Sequence, residues 1–253
     1  MKKINNLFNI SKDIPIDVFF EHILYDKENG YYTKKNPFGK TGDFITAPGV
    51  STIFSELIGI WIVSTWELMN KPKNFNIVEL GPGSGDMCNT IIKTFKKFPE
   101  FYSCVKIFMY EKSNTLKKIQ QNLIKDKKVK WITGLESIKK GPVIFFGNEF
   151  FDAIPVKQFK RNKNLIFEKF IKLDKKSNIC QSLKKISKKN AKELNSFKTL
   201  KEFDFIEFPK LGFVELKKII SKISKLSGGI LLIDYGFMGI TNKGEPAIYK
   251  TSG

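Results

Sequence analysis

The residue types that build metal sites and disulfide frameworks are scarce in this chain. Its 253 residues contain one histidine, His22, and three cysteines, Cys88, Cys104 and Cys180. A single histidine excludes a multi-histidine metal site. An odd number of scattered cysteines argues against a disulfide framework or a zinc site. The sequence therefore predicts no metal centre.

Long apolar segments are also missing. The longest apolar run covers 57–63, whereas a membrane-spanning helix needs roughly 20 residues. Residues 1–12 contain neither a long apolar core nor an arginine, so neither a signal peptide nor a transit peptide is predicted. We therefore expect a cytoplasmic protein without a membrane span.

Arginine is nearly absent, although the formal net charge is +19. Arg161 is the only arginine. The lysine-rich residues 157–201 account for +12 of the net charge of +19. Arginine is the residue suited to bidentate recognition of phosphate and guanine. We favour a solvated or partner-facing surface for this segment, with a specific nucleic-acid site as the alternative.

What the chain does contain is a glycine-rich turn between two patterned segments. Residues 77–80 form a short apolar run typical of a strand buried on both faces. Gly81, Gly83 and Gly85 follow, and they allow a sharp turn and a close approach of a ligand to the backbone. From Asp86 the apolar spacing is helical. Strand, turn and helix N-terminus together predict a nucleotide-binding corner.

Two carboxylates indicate which nucleotide this corner binds. The glycine spacing is G-x-G-x-G rather than the G-x-G-x-x-G of dinucleotide sites, and Glu79 and Asp86 flank it. Both carboxylates would repel a pyrophosphate, whereas they suit a ligand that carries an ammonium and a sulfonium. S-adenosylmethionine is such a ligand. The alternatives are a purely structural turn and a nicotinamide site, which the spacing and Glu79 disfavour.

The strand and helix pattern repeats after this corner. Strands are predicted over 105–110, 129–133, 142–147 and 230–233, with helices over 113–125 and from 211 to about 226. Glu111 ends the second strand, where an acid can accept hydrogen bonds from ribose hydroxyls. Leu135, within 131–136, lies where an adenine ring needs an apolar wall. The fold class is α/β with a mainly parallel, doubly wound sheet.

Further polar residues follow the fourth strand. Asn148, Glu149 and Asp152 lie beyond its carboxyl end, where ligands bind in open parallel sheets. Helix capping is the alternative explanation for these acids. Upstream, Asp43 lies in a loop rich in glycine, aromatics and proline, which is typical of functional loops; an ordinary hairpin is the alternative.

These patterns divide the chain into three parts. Residues 1–75 form an N-terminal helical extension with a substrate-side loop, including a helix capped by Asp13 and an apolar helix over 51–69. Residues 76–156 and 203–253 form the Rossmann-like core. Residues 157–202 form a lysine-rich insertion after the fourth strand, with one strand over 165–173.

Five blocks together resemble one family. They are GYY at 30–32, GDFITAP at 42–48, ELGPGSG at 79–85, NEFFDA at 148–153 and IDYG at 233–236. In this order they resemble the MidA-like class I methyltransferases. The resemblance implies a Rossmann-like fold and S-adenosyl-L-methionine as cofactor. It also implies methylation of a protein arginine, which in the eukaryotic, mitochondrial members serves assembly of respiratory complex I.

The resemblance also implies roles for the candidate residues. Glu149 and Asp152 are expected to clamp the substrate guanidinium, with Asp43 completing the site and Asn148 orienting substrate or cofactor. The three glycines are expected to approach the methionine portion of the cofactor. Its ammonium region is expected at Glu79 and its ribose at Glu111.

The chain departs from the family in two places. Gly49 stands where the family usually has a glutamate, and the family continues with further strands beyond the block that ends at Gly236. We therefore expect the C-terminal strands of the family to be missing. Two alternatives stay open: a methyltransferase for another substrate, and a non-catalytic relative that acts as a binding or assembly module.

Overall fold

A computed structural model describes residues 7–8, 11–34, 37, 43, 51–163 and 165–235. The chain divides into two compact units. The first contains the described residues before Ile23 together with Ile154–Phe213. The second contains Ile23–Ala153 and Val214–Tyr235.

Ten strands are described. They are β1 (Asp13–Pro15), β2 (Phe75–Leu80), β3 (Val105–Tyr110), β4 (Val129–Ile132), β5 (Val143–Asn148), β6 (Lys157–Asn162), β7 (Leu165–Leu173), β8 (Ile179–Lys185), β9 (Phe205–Phe208) and β10 (Gly228–Ile233).

The helices in the same part of the chain are α1 (Ile16–Tyr25), α2 (Tyr31–Lys34), α3 (Thr52–Leu68), α4 (Asp86–Phe95), α5 (Pro99–Cys104), α6 (Asn114–Leu123), α7 (Lys188–Ser196) and α8 (Lys210–Leu226). A 3₁₀ helix covers Lys198–Glu202. No helix among them is long and apolar enough to cross a membrane.

The second unit is built on a parallel sheet with the strand order β10-β5-β2-β3-β4. Every residue of β2, the central strand, is buried. Its side chains alternate between two hydrophobic clusters, with Phe75 and Ile77 in one and Val78 and Leu80 in the other, because successive side chains of a strand point to opposite faces. The predicted α/β fold with a mainly parallel sheet is confirmed.

Helices cover the first of these clusters. Ser51 caps the N-terminus of α3, because its hydroxyl accepts a hydrogen bond from the Ile53 amide, as residues favoured at the capping position do. α3 packs against α4 so closely that a Cβ on Gly59 would lie 3.1 Å from the Thr94 side chain. The helix predicted over 51–69 is confirmed.

Helix α8 ends at Leu226, as the sequence predicts. Gly228 and Gly229 follow it and belong to β10, opposite Val143 and Ile144 of β5. The left-handed residue that ends the helix is Ser227, with φ of 65°. Gly228 is needed for a different reason: a Cβ there would lie 1.9 Å from the Val143 carbonyl oxygen.

The first unit is an antiparallel sheet in which β7 is central. β6, β8 and β1 pair with β7, and β9 pairs with β6. The strand predicted over 165–173 is confirmed. Strands β6 and β8 and helix α7 lie in the 157–202 segment, where the sequence predicted no other regular structure, and β9 follows that segment.

Asp13 does not cap a helix, contrary to the sequence-based expectation. Asp13–Pro15 form β1, and Asp13 lies opposite Lys172 of β7. The Asp13 carboxylate is 2.9 Å from the Lys184 Nζ and accepts a hydrogen bond from Ser182. The helix begins only at Ile16, because the pairing with β7 holds the preceding residues extended.

A buried lysine links two acids in this unit. The Lys157 Nζ lies 3.1 Å from the Asp17 carboxylate and 2.6 Å from that of Glu168. All three side chains are at most 16% exposed. Removing one member of a buried ion pair leaves an uncompensated charge, and here two carboxylates would lose their cation.

We therefore expect Lys157→Met to lower the free energy of unfolding by about 3 kcal/mol or more. Lys160→Met is the matched control on the same strand, because Lys160 is exposed; its effect should stay within about 0.5 kcal/mol. Urea denaturation measures both. Equal effects of the two substitutions would contradict the role assigned to Lys157.

Candidate active site

The glycine-rich turn connects β2 to α4 as the sequence predicts. Gly81, Gly83 and Gly85 have φ of 61°, 56° and 91°, a left-handed conformation that side chains disfavour. The Gly81 amide donates a hydrogen bond to the Tyr110 carbonyl of the neighbouring strand, at 3.1 Å. A Cβ on Gly81 would also lie 2.9 Å from the Phe150 ring. The turn is therefore restricted to glycine by backbone conformation and by packing.

Glu79 precedes this turn with its carboxyl group in the core. The residue is 1% exposed, and within the described part of the chain its Oε2 has no hydrogen-bond partner. The Cys88 thiol of α4 is hydrogen-bonded to the same carboxyl group. Burial raises the pKa of Glu79 to about 8, and the charges of Glu111 and Asp86 act in the same direction. A buried oxygen without a partner favours a ligand that brings a cationic donor.

Glu111 follows β3 and is also buried. Its carboxylate accepts hydrogen bonds from the Ser113 amide at 2.7 Å and from the Gln120 Nε2 at 3.2 Å. Burial raises the pKa of Glu111, although these hydrogen bonds oppose the shift. Glu111, the acid predicted at the end of the second strand, thus lies beside α6.

Gln120 connects these parts, and the sequence analysis missed it. Its Nε2 also donates to the Gly83 carbonyl at 2.8 Å, and its Oε1 accepts a hydrogen bond from the Trp131 ring at 2.9 Å. Gln120 is 0% exposed. The available signal was a glutamine on the buried face of an amphipathic helix, one turn after Leu116. Its amide ties the glycine turn, Glu111 and β4 together.

Two other predicted cofactor residues lie around this group. Asp86 is the exposed first residue of α4, and its carboxylate accepts a hydrogen bond from Ser84. Leu135 is buried in the hydrophobic cluster that contains Tyr110 and Ile138. A contact of Leu135 with an adenine ring stays a prediction.

A second group of polar residues lies where β5 and β10 end. Asn148 is the last residue of β5, and its Nδ2 donates to the Glu149 Oε1 at 3.2 Å. Glu149 has a left-handed φ of 51°, and its amide donates to the Ile233 carbonyl of β10 at 2.8 Å. A non-glycine residue in this conformation is uncommon and occurs often at functional sites.

Asp152 joins this group through Tyr235. The Tyr235 hydroxyl donates a hydrogen bond to the Asp152 carboxylate. Partial burial raises the pKa of Asp152, and the charges of Asp234 and Glu149 add to the shift, whereas the Tyr235 bond opposes it. Asp234 and Tyr235 were not predicted as site residues, although they lie in a block that the resemblance quoted.

The carboxylates of this second group have no cationic partner in the part of the chain that the structure describes. Among the ion pairs of the described residues, none involves Glu149, Asp152 or Asp234. The chain has 44 lysines and arginines against 25 acids, so basic side chains are plentiful. Three acids that nevertheless gather without one repel each other, and a cationic ligand would relieve this repulsion.

Tyrosines of the N-terminal segment lie near both groups. The Ser113 hydroxyl donates to the Tyr32 carbonyl at 2.7 Å. The Tyr32 ring stacks on Tyr25 with 5.3 Å between ring centres. Burial raises the pKa of Tyr32, and the charge of Asp152 contributes. Tyr32 therefore lies between the Glu111 side and the Asp152 side of the site.

Asp43 accepts a hydrogen bond from the Tyr31 hydroxyl. Burial and this bond raise the pKa of Tyr31 to about 12. The rest of the loop predicted around Asp43, including residues 38–42 and 44–50 with Gly49, lies outside the described residues. The Asp43 role in a substrate clamp stays a prediction.

The chain matches a known protein family and several named relatives. A family model described as "Putative S-adenosyl-L-methionine-dependent methyltransferase" matches residues 57–246. Two relatives are named protein arginine methyltransferase NDUFAF7, mitochondrial, one from Xenopus tropicalis and one from Homo sapiens. Each is 28% identical to this chain over 92% of this chain's length. The Drosophila melanogaster homolog is 36% identical over 56% of the chain and 38% of its own length.

The chain spans 60% of the Xenopus tropicalis protein and 58% of the human one. Among solved structures, a Burkholderia thailandensis protein bound to S-adenosyl-homocysteine superposes with a TM-score of 0.76 at 19% identity. The match covers 93% of this chain and 62% of that one. This similarity shows a shared fold.

The buried Glu79 makes a prediction that needs no ligand. Its pKa is raised from 4.5 to about 8, so between these values the folded protein holds a proton that the unfolded chain has lost. The free energy of unfolding then falls as pH rises through this window, by at most about 1.4 kcal/mol per pH unit. Glu79→Gln removes this dependence.

Urea denaturation of both proteins at several pH values between about 5 and 8 measures the effect. The stability of wild type minus that of Glu79→Gln should decrease as pH rises. Glu67→Gln, at an exposed carboxyl on α3, is the control and should give a nearly constant difference. A constant difference for Glu79→Gln as well would mean that Glu79 is ionised in the folded protein.

Proposed function

Because the chain belongs to this family of S-adenosyl-L-methionine-dependent methyltransferases, we propose that it methylates an arginine side chain of a protein substrate. The observation that carries the proposal is the group Glu149, Asp152 and Asp234 at the ends of β5 and β10, which has no cationic partner among the described residues. The names of the relatives support the same substrate.

The residues around the glycine turn fit the proposed cofactor. The unpartnered Oε2 of Glu79 suits an ammonium group, because a charge-assisted hydrogen bond offsets the cost of burying a carboxylate. Glu111, held by Ser113 and Gln120, would accept ribose hydroxyls. The turn at Gly81, Gly83 and Gly85 would approach the methionine portion, with Asp86 at the start of α4. S-adenosyl-L-methionine supplies a methyl group activated by a sulfonium.

The carboxylates would act on the other reactant. A guanidinium has a pKa of about 13.8, so an arginine arrives positively charged and is a poor nucleophile. Paired carboxylates fix the orientation of its planar group and stabilise positive charge during transfer. We assign this role to Glu149 and Asp152, with Asn148 holding the Glu149 carboxylate and Asp43 contributing from the N-terminal side.

The reaction moves a methyl group and one proton. A bond forms between the guanidinium nitrogen and the methyl carbon while the bond between carbon and sulfur breaks and its electron pair stays on sulfur. The nitrogen must then lose a proton. Asp152 is suited to accept it, because partial burial and the neighbouring acids raise its pKa and so increase its basicity.

The resemblance to the MidA-like family extends the proposal to the partner. A subunit of respiratory complex I is the protein substrate that this resemblance suggests, and the relatives named above are mitochondrial by name. For this chain we retain the sequence-based proposal of a cytoplasmic location.

Glu149→Gln separates methyl transfer from cofactor binding. The amide keeps the size of the side chain but removes its charge, so methylation of an arginine peptide should fall by about a hundredfold or more. Binding of S-adenosyl-L-methionine should stay within about threefold of wild type, since Glu149 lies with the second group of residues. Transfer of a labelled methyl group and isothermal calorimetry measure the two effects.

Glu67→Gln serves as the control, because the Glu67 carboxylate already has Lys71 as a partner at 3.8 Å. This variant should keep both binding and transfer. Normal transfer by Glu149→Gln would remove Glu149 from the clamp. If wild type binds the cofactor but methylates neither arginine nor lysine peptides, the result would favour another substrate. If wild type does not bind the cofactor, the result would favour a non-catalytic relative.

A further inference from the structure

Tyr235 is a large exposed aromatic residue in the middle of the acidic group. It follows β10 directly and is 70% exposed. Its amide donates a hydrogen bond to the Asp234 carboxylate at 3.0 Å, and its hydroxyl donates to Asp152. A single exposed aromatic residue is ordinary on a protein surface. One that is hydrogen-bonded to two acids, for which the described part of the chain supplies no cation, is better explained by a ligand.

The hydroxyl of Tyr235 is fixed as a donor. The bond to Asp152 and the charge of this acid raise the pKa of Tyr235 to about 12, and Asp234 and Glu149 contribute. The phenol therefore stays protonated at any physiological pH, and its hydrogen bond restrains the Asp152 carboxylate. The ring meanwhile stays accessible beside this carboxylate.

We propose that Tyr235 is the residue that selects a planar guanidinium as the substrate group. Its ring provides a face on which the cation stacks, and its hydroxyl holds Asp152 in place to pair with the cation. A guanidinium can stack on a ring and form paired hydrogen bonds with a carboxylate at once, whereas an ammonium has no flat face to stack. This inference rests on the proposed function and extends it to the choice of arginine over lysine.

The two parts of the side chain can be tested separately. Tyr235→Phe keeps the ring and loses the hydroxyl, and Tyr235→Ala loses both. Tyr102→Phe is the matched control, because the Tyr102 hydroxyl also donates to an acid, Asp126, at 2.6 Å. Tyr102 lies outside the group of candidate site residues.

The first measurement is binding of acetyl-arginine amide and acetyl-lysine amide, followed by nuclear magnetic resonance. Wild type should bind the arginine probe about tenfold more tightly than the lysine probe. Tyr235→Ala should lose about tenfold in arginine affinity, Tyr235→Phe less than about threefold, and Tyr102→Phe nothing measurable. Wild-type affinity for arginine in Tyr235→Ala, or no preference for arginine in wild type, would overturn the inference.

The second measurement is the pH profile of methyl transfer to an arginine peptide. Loss of the hydroxyl removes a bond that lowers the pKa of Asp152, so the acidic limb of kcat/KM for Tyr235→Phe should move to higher pH. A side chain that only stabilises the fold would leave this limb unchanged. For Tyr235→Ala, KM for the peptide should rise while the affinity for S-adenosyl-L-methionine stays constant.

The outcomes distinguish this inference from the proposed function. Arginine binding that depends on Tyr235 but without methyl transfer would support the inference and contradict the proposed reaction. Methyl transfer that is indifferent to Tyr235→Ala, with unchanged KM and pH profile, would support the reaction and overturn the inference.

Discussion

Parallel pairing places the carboxyl ends of five strands along one edge of a single sheet, and the candidate site depends on this constraint. Glu79 and the glycine turn belong to β2, Glu111 follows β3, Asn148 and Glu149 close β5, and Asp234 follows β10. Residues far apart in the sequence therefore meet at one edge of the sheet. What distinguishes this edge is its concentration of acids, among them Glu79, Glu111, Glu149 and Asp234.

Such an edge is unfavourable for the protein alone. Burial raises the pKa of Glu79, of Glu111 and of Asp152, and the charges of Asp234 and Glu149 add to the shift at Asp152. Elsewhere in the chain buried acids have a cationic partner: Asp17 and Glu168 both pair with Lys157. The contrast suggests that stability is given up where cations are to be bound, as is common at functional sites. Both proposed reactants carry positive charge.

Local patterns were enough to predict much of this arrangement. The apolar run before Gly81, the glycine spacing and the helical periodicity after Asp86 each act within a few residues, and the strand, turn and helix lie where these patterns indicate. Pairing between distant segments was not predictable in this way. Asp13 forms a strand because β7 is beside it. Gln120 and Tyr235 contact residues distant in sequence, and no local sequence pattern predicts those contacts.

The most direct test of the account is calorimetric titration of the purified chain with S-adenosyl-L-methionine and with S-adenosyl-homocysteine. Both ligands carry the ammonium and ribose assigned to Glu79 and Glu111, and only the first carries the sulfonium. We expect saturable binding of both ligands, with one site per chain and dissociation constants on the order of micromolar. Absence of binding by a folded chain would contradict the cofactor site and with it the proposed enzyme.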